Sequence, residues 1–231
     1  MKTLTELLAF APTDRDRNWE NHFFSQLTSS SVELISEEPI TGPDSWPYLL
    51  VKTTSEDKVA TTPESSPEPV QKILGWLADK GIGLVVNPEQ EYPDYVFPYG
   101  MIWHFRENGL FFRDQSDIPT GSVVISKEDG LRAGPPTESF LPGYVRKVLR
   151  DFFRDQGLFA VKILVLEADA KQPGTDAAKA KFYDLAFSLS SLGNPPENEY
   201  SDIAEAISWF LPPHYSILLT QEKDLPPFVE L

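Results

Sequence analysis

One stretch, residues 140–220, constrains the fold of this chain more than any other, because it reads as a complete helix–strand–strand–helix–strand unit. Phe140, Leu141, Tyr144, Val145, Val148, Leu149, Phe152 and Phe153 recur at spacings of one, three and four, which is an apolar stripe at helical period. Arg146, Lys147, Arg150, Asp151, Arg154 and Asp155 fall on the opposite side, and Gly157 follows where a left-handed residue ends a helix most easily. Residues 159–167 (FAVKILVLE) and 182–190 (FYDLAFSLS) have the aliphatic and aromatic content of strands, with Pro173-Gly174 between them, and predict a neighbouring antiparallel pair. Ile203, Ala206, Ile207, Phe210 and Leu211 return to helical spacing until Pro212-Pro213, and residues 215–220 predict a further strand.

A looser copy lies upstream. A shift of 133 positions sets Leu74-Gly75-Trp76-Leu77 over Ile207-Ser208-Trp209-Phe210, and Leu84-Val85-Val86 over Ile217-Leu218-Leu219. Two readings stay open: an internal duplication, or chance likeness between two amphipathic helix–strand passages. The expected fold is α+β, with two similar sheet-plus-helix halves packed together, residues 1–120 and 121–231, and a seam at 117–121.

In chain order, Leu4, Leu7 and Leu8, then Trp19, Phe23, Phe24 and Leu27, predict two short helices ahead of the first sheet. Residues 32–35 and 48–51 predict short strands. The proline-rich, polar stretch 52–69 (KTTSEDKVATTPESSPEP) predicts a loop, with Ser66-Pro67 capping a helix that ends at Gly81. Residues 92–105 are the most aromatic passage in the chain. With Asn108-Gly109 and residues 110–113 they predict a hairpin turning at 107–109. Residues 123–126 predict another strand, and 130–136 a loop.

Composition serves mainly to exclude. With 231 residues the chain is long enough to bury roughly 70% of its unfolded surface without staples. No cysteine is present, so disulfides, thiolate nucleophiles and cysteine-bound zinc are excluded. No apolar run approaches the roughly 18 residues of a membrane span, so no membrane association and a cytoplasmic location are expected. The 20 basic against 35 acidic residues give a net charge of −15, which opposes binding to phosphate backbones, so nucleic acid is not an expected partner. A nucleophile elbow, a phosphate-cradling loop, a two-histidine zinc helix and an EF-hand loop are all absent, so no catalytic residue, metal site or cofactor is expected.

Two surfaces are candidates for a protein partner. Tyr92, Asp94, Tyr95, Phe97, Tyr99 and Trp103 combine apolar bodies with polar tips, as binding anchors do. Arg146, Arg150 and Arg154 recur every fourth residue and make a basic ridge on an acidic chain. The expected function is non-enzymatic binding or regulation. An acidic immunity-type inhibitor of a basic protein and a carboxylate-dependent hydrolase are the alternatives, and the oligomeric state stays open.

Gly134-Pro135-Pro136, Leu141-Pro142-Gly143-Tyr144 opening a helix, the strands at 160–166 and 185–189, Phe210-Leu211-Pro212-Pro213 before a strand, and a closing Asp224-Leu225-Pro226 give residues 121–231 a recognisable layout. It resembles the C-terminal domain of the SseB family, linked by name to enhanced serine sensitivity. That resemblance implies a bacterial α+β protein without an established active site, so it carries over no catalytic residue. The N-terminal half departs from the family pattern in its aromatic passage.

Overall fold

In the computed structural model, which describes residues 2–54, 67–89, 92–112, 132–169 and 181–231, the chain is α+β with six α-helices and two sheets among those residues. It divides into two units, Met1–Phe111 and Phe112–Leu231. The expected seam at 117–121, the strand at 123–126 and most of the loop at 52–69 lie outside the described residues.

In the first unit Thr3 opens α1 (Leu4–Leu8) with a reciprocal cap: its hydroxyl accepts from the Glu6 amide while its own amide donates to the Glu6 carboxylate. Asp16 caps α2 (Arg17–Thr28) by accepting from the Trp19 amide, and helical spacing places Trp19, Phe23, Phe24 and Leu27 on its buried side. The strands β1 (Ser31–Leu34), β2 (Ile40–Thr41), β3 (Pro47–Thr53) and β4 (Glu68–Pro69) precede α3 (Val70–Lys80), which closes on Gly81 at φ +73°, and β5 (Gly83–Val86) follows. The helix therefore starts after Pro69 and not at the expected Ser66-Pro67 cap. Glu68, made extended by the proline after it, pairs with β1 instead.

The expected hairpin over the aromatic passage is replaced by a short strand, β6 (Tyr95–Phe97), and a helix, α4 (Tyr99–Asn108). An Asn-Gly pair suits a hairpin turn and a helix end equally. Here Gly109, at φ +70°, is the left-handed cap, and its amide donates to the Phe105 carbonyl at 2.7 Å. Residues 110–112 form no strand, and Phe111 is buried against the rings of Phe24, Phe97 and Phe105.

The sheet runs β4-β1-β3-β5-β6, with β2 also on β3; β3 and β5 are parallel and the other pairs antiparallel. The Tyr48 ring lies across Gly83 of the next strand. A Cβ there would stand 2.5 Å from the ring and 2.9 Å from the Phe97 carbonyl, so the close approach requires glycine.

The second unit contains β7 (Arg132–Gly134), α5 (Gly143–Asp155), β8 (Lys162–Asp169), β9 (Lys181–Ser188), α6 (Tyr200–Ser208), β10 (Ser216–Thr220) and β11 (Val229–Glu230). As expected, β8 and β9 are antiparallel; β10 is parallel to β9, while β7 and β11 both pair with β8. The α5 stripe buries Val145, Leu149 and Phe153. Phe140 lies ahead of the helix, and its ring stacks on Tyr215 at 4.5 Å. The expected loop at 130–136 contains β7, whose Arg-Ala-Gly sequence has no strand character of its own and is held by its register with β8.

The two units repeat one order: helix, antiparallel strand pair, helix, then a strand parallel to the second of the pair. With the two-residue strands β2 and β4 left aside, it runs α2-β1-β3-α3-β5 in one unit and α5-β8-β9-α6-β10 in the other. The aligned tryptophans nevertheless differ, Trp76 being 42% exposed and Trp209 only 6%. Among the described residues, no helix is long and apolar enough to cross a membrane.

Candidate functional site

In the first unit α2 covers one face of the sheet. The Phe23 and Phe24 rings lie 5.6 and 5.2 Å from Tyr95, and Phe24 is 5.6 Å from Phe97. Side chains alternate between faces along a strand, so register fixes what stands on the other side. Leu50 is opposite Val85, Val85 is opposite Val96, and the Ile35 amide donates to the Leu50 carbonyl. Ile35, Leu50, Val85 and Val96 therefore form one aliphatic row across four neighbouring chain segments on the face away from α2. Its ends are exposed, Ile35 at 40% and Val96 at 38%.

Two residues further along each strand the chemistry becomes polar. Glu33 pairs in register with Lys52, and Asn87 and Asp94 continue the series. Asp94 is buried. Arg15 donates to its carboxylate at 2.7 Å and to its carbonyl at 2.8 Å, and also to the Phe10 carbonyl at 3.2 Å. The guanidinium rests 4.7 Å over the Trp19 ring, so its planar fork is fixed on both edges and one face. The other Asp94 oxygen accepts from the Asn87 side-chain amide at 2.8 Å, and the Asn87 carbonyl oxygen in turn accepts from the Thr53 amide at 2.9 Å. Asn87 adopts φ +52°, a conformation that asparagine tolerates better than most residues.

Above this network lies a pocket of about 240 Å3 lined by Leu8, Ile35, Lys52, Thr53, Asn87, Glu89 and Asp94. It stands at the carboxyl ends of the parallel strands β3 and β5. Lys52 and Glu89 meet across it at 2.8 Å, both exposed. Hydrogen bonding to Glu89, with the attraction of its charge, raises the Lys52 pKa.

The expected partner-binding residues separate into distinct environments. Tyr92 is 68% exposed. Asp94 belongs to the ion pair just described. Tyr95 is half-buried and donates to Glu20 at 2.8 Å; burial, and then that bond, pushes its pKa above the tyrosine range. Phe97, Tyr99 and Trp103 are fully buried, with the Tyr99 hydroxyl donating to the Ala78 carbonyl at 2.9 Å. Those three side chains fill the interior and present no surface. On α5, Arg146 pairs with Glu138 at 2.6 Å, Arg150 donates to the Leu231 carbonyl at 2.6 Å, and Arg154 pairs with Asp151 at 2.9 Å. Each arginine of the ridge is thus engaged within the second unit. His104, buried on α4, is tied through Nδ1 to the Leu110 carbonyl at 2.7 Å.

The row and the pocket were not singled out by the sequence. Strand parity gives each residue a face, but only the register shows that Ile35, Leu50, Val85 and Val96 stand side by side.

The second unit holds its own polar cluster. Glu222 accepts from the Ser188 hydroxyl at 2.7 Å and the Ser190 hydroxyl at 2.9 Å, with the Lys162 ammonium at 3.4 Å. The serine hydrogen bonds, and then the lysine, lower the Glu222 pKa. A carboxylate held below its unfolded value contributes stability that is fully present above the unfolded value and is lost as pH falls through the folded one. Glu222→Gln is therefore expected to destabilise the protein at neutral pH and to match it in acid, as parallel thermal melts across that range would report. A constant difference at all pH values would mean that the carboxylate charge is not what holds the cluster.

Among the described residues, no group of three or more His, Asp or Glu side chains is placed to hold a metal ion. Compared with known protein families, curated proteins and solved structures, the chain matches none of them.

Proposed function

We propose that this chain is a non-enzymatic binding protein, and that the open sheet face of its first unit receives a protein surface of aliphatic side chains flanked by Lys or Arg. The observation that carries this reading is the row Ile35–Leu50–Val85–Val96, whose exposed ends leave aliphatic surface in water. Contiguous apolar surface rimmed by polar groups is the usual mark of a protein interface. Charge selects the partner. Among the described residues Glu33 and Glu89 stand beside the row with Lys52, on a chain of net charge −15, so a basic partner is favoured in encounter and an acidic one repelled. The acidic-inhibitor alternative is a special case of this reading. The hydrolase alternative is less well supported, because both pocket carboxylates already have partners, Asp94 in Arg15 and Asn87 and Glu89 in Lys52. The helix–strand–strand–helix–strand order of the second unit supports a relation of residues 121–231 to the SseB C-terminal domain, which is offered as part of the same reading.

The test is a methyl NMR titration of the whole chain with a synthetic peptide alternating Lys and Val, and with its Glu-Val counterpart. The basic peptide is expected to shift the Ile35, Leu50, Val85 and Val96 methyls. Val96→Glu is expected to weaken it by about tenfold or more without lowering the melting temperature, since the site is exposed. Equal response to both peptides, or none to either, would overturn the reading, as would self-association that fills the row without peptide.

A further inference from the structure

We propose that the pocket at the carboxyl ends of β3 and β5, which shares Ile35, Lys52 and Glu89 with the edge of the sheet face, binds a small zwitterion, one ammonium and one carboxylate on a short aliphatic frame. Its position is the first reason: it lies beyond the carboxyl ends of β3 and β5, the parallel pair of an otherwise antiparallel sheet, which is the end where open parallel sheets receive ligands. The floor is already built, because Asp94 is held by Arg15 and Asn87 in a buried, charge-balanced network that needs no rearrangement to receive a ligand. Among the described lining residues the mouth carries one cation and one anion, Lys52 and Glu89, which satisfy each other at 2.8 Å, with Glu33 across the strand from Lys52.

That pairing defines the ligand. A molecule with a single positive charge could meet Glu89 only with Lys52 left facing it as a like charge, and a molecule with a single negative charge meets the converse problem. A zwitterion replaces the one exposed pair by two and leaves the charge around the pocket unchanged, and an exposed pair of this kind is weak enough to open. Leu8 and Ile35 supply an apolar wall for the aliphatic part. The volume of about 240 Å3 lies below the roughly 300–1,000 Å3 of drug-sized sites, so the ligand is small.

L-leucine is the probe, with isocaproate and isopentylamine as the analogues that keep the same frame and lose one charge each. In an NMR titration of the full chain, leucine is expected to shift the Thr53 and Asn87 amides saturably, and each analogue to bind about tenfold more weakly or worse. Lys52→Ala and Glu89→Ala should each weaken leucine by about the same factor at an unchanged melting temperature. Val96→Glu should leave leucine binding intact, which separates this site from the sheet-face reading. The proposal is overturned if leucine gives no saturable shift up to its solubility, if either analogue binds as tightly, or if both pocket variants bind leucine normally.

Discussion

Asp94→Ala is expected to lower the stability of the protein by about 3–5 kcal/mol, the range for removing one member of a buried ion pair. The side chains of Arg15 and Asp94 are 11% and 1% exposed, so the guanidinium left behind cannot recover its hydration without local opening. The consequences of losing the carboxylate reach beyond the ion pair. The Asn87 side-chain amide loses one of its two acceptors and keeps the Thr53 hydroxyl, the positive-φ turn at Asn87 loses a brace, and the Arg15 guanidinium keeps only carbonyl acceptors. Chemical denaturation of wild type, Asp94→Ala, Arg15→Ala and the double variant would measure it. The double variant is expected to lose less than the sum of the singles, because removing both charges removes the uncompensated one. A loss below about 1 kcal/mol for Asp94→Ala would mean that the pair behaves as a solvated one.

This network also marks where the sequence stops being informative. Asp94 could be read as a polar tip in an aromatic passage, but nothing local indicates that its partner is Arg15, 79 residues away. Apart from α4, the helices were legible because their causes are local: Thr3 opens one, Gly81 and Gly157 follow the ends of others, and the apolar stripes of α2, α3 and α5 repeat at 3.6 residues. The long strands β8 and β9 were legible from propensity, and their antiparallel pairing followed from adjacency. The short strands were not, since Arg132–Gly134 and Glu68–Pro69 become strands only because a neighbour offers them a ladder. The aromatic passage misled for a different reason. Asn108-Gly109 satisfies both a hairpin turn and a left-handed helix cap, and the decision lies in the spacing of Met101, Ile102 and Phe105 after Pro98, which is helical. The aliphatic row needs the register of four chain segments at once, and no local pattern contains that.

Trp103→Ala is expected to cost about 3–5 kcal/mol, as truncation of a fully buried large aromatic does, and it decides what the aromatic passage is for. Trp103 has no exposed surface and sits on α4, whose Tyr99 is hydrogen-bonded to the Ala78 carbonyl of α3. Emptying that position removes packing atoms from the helix layer and leaves a void that neighbours on two helices would have to collapse into. Tyr92 is the internal control. It belongs to the same passage but is 68% exposed, so Tyr92→Ala should change stability by no more than about 0.5 kcal/mol. Denaturant midpoints for the two variants, with peptide titration of each, separate a core role from an anchoring one. If Trp103→Ala kept native stability and lost peptide binding, the ring would have to be reachable by a partner, and the helix that buries it would have to move aside on binding. If it loses stability as expected, binding falls to the outward residues of the passage, Tyr92, Pro93 and Val96. Of these, Val96 stands in the aliphatic row opposite Val85, so its substitution by Glu tests the row where a partner would reach it.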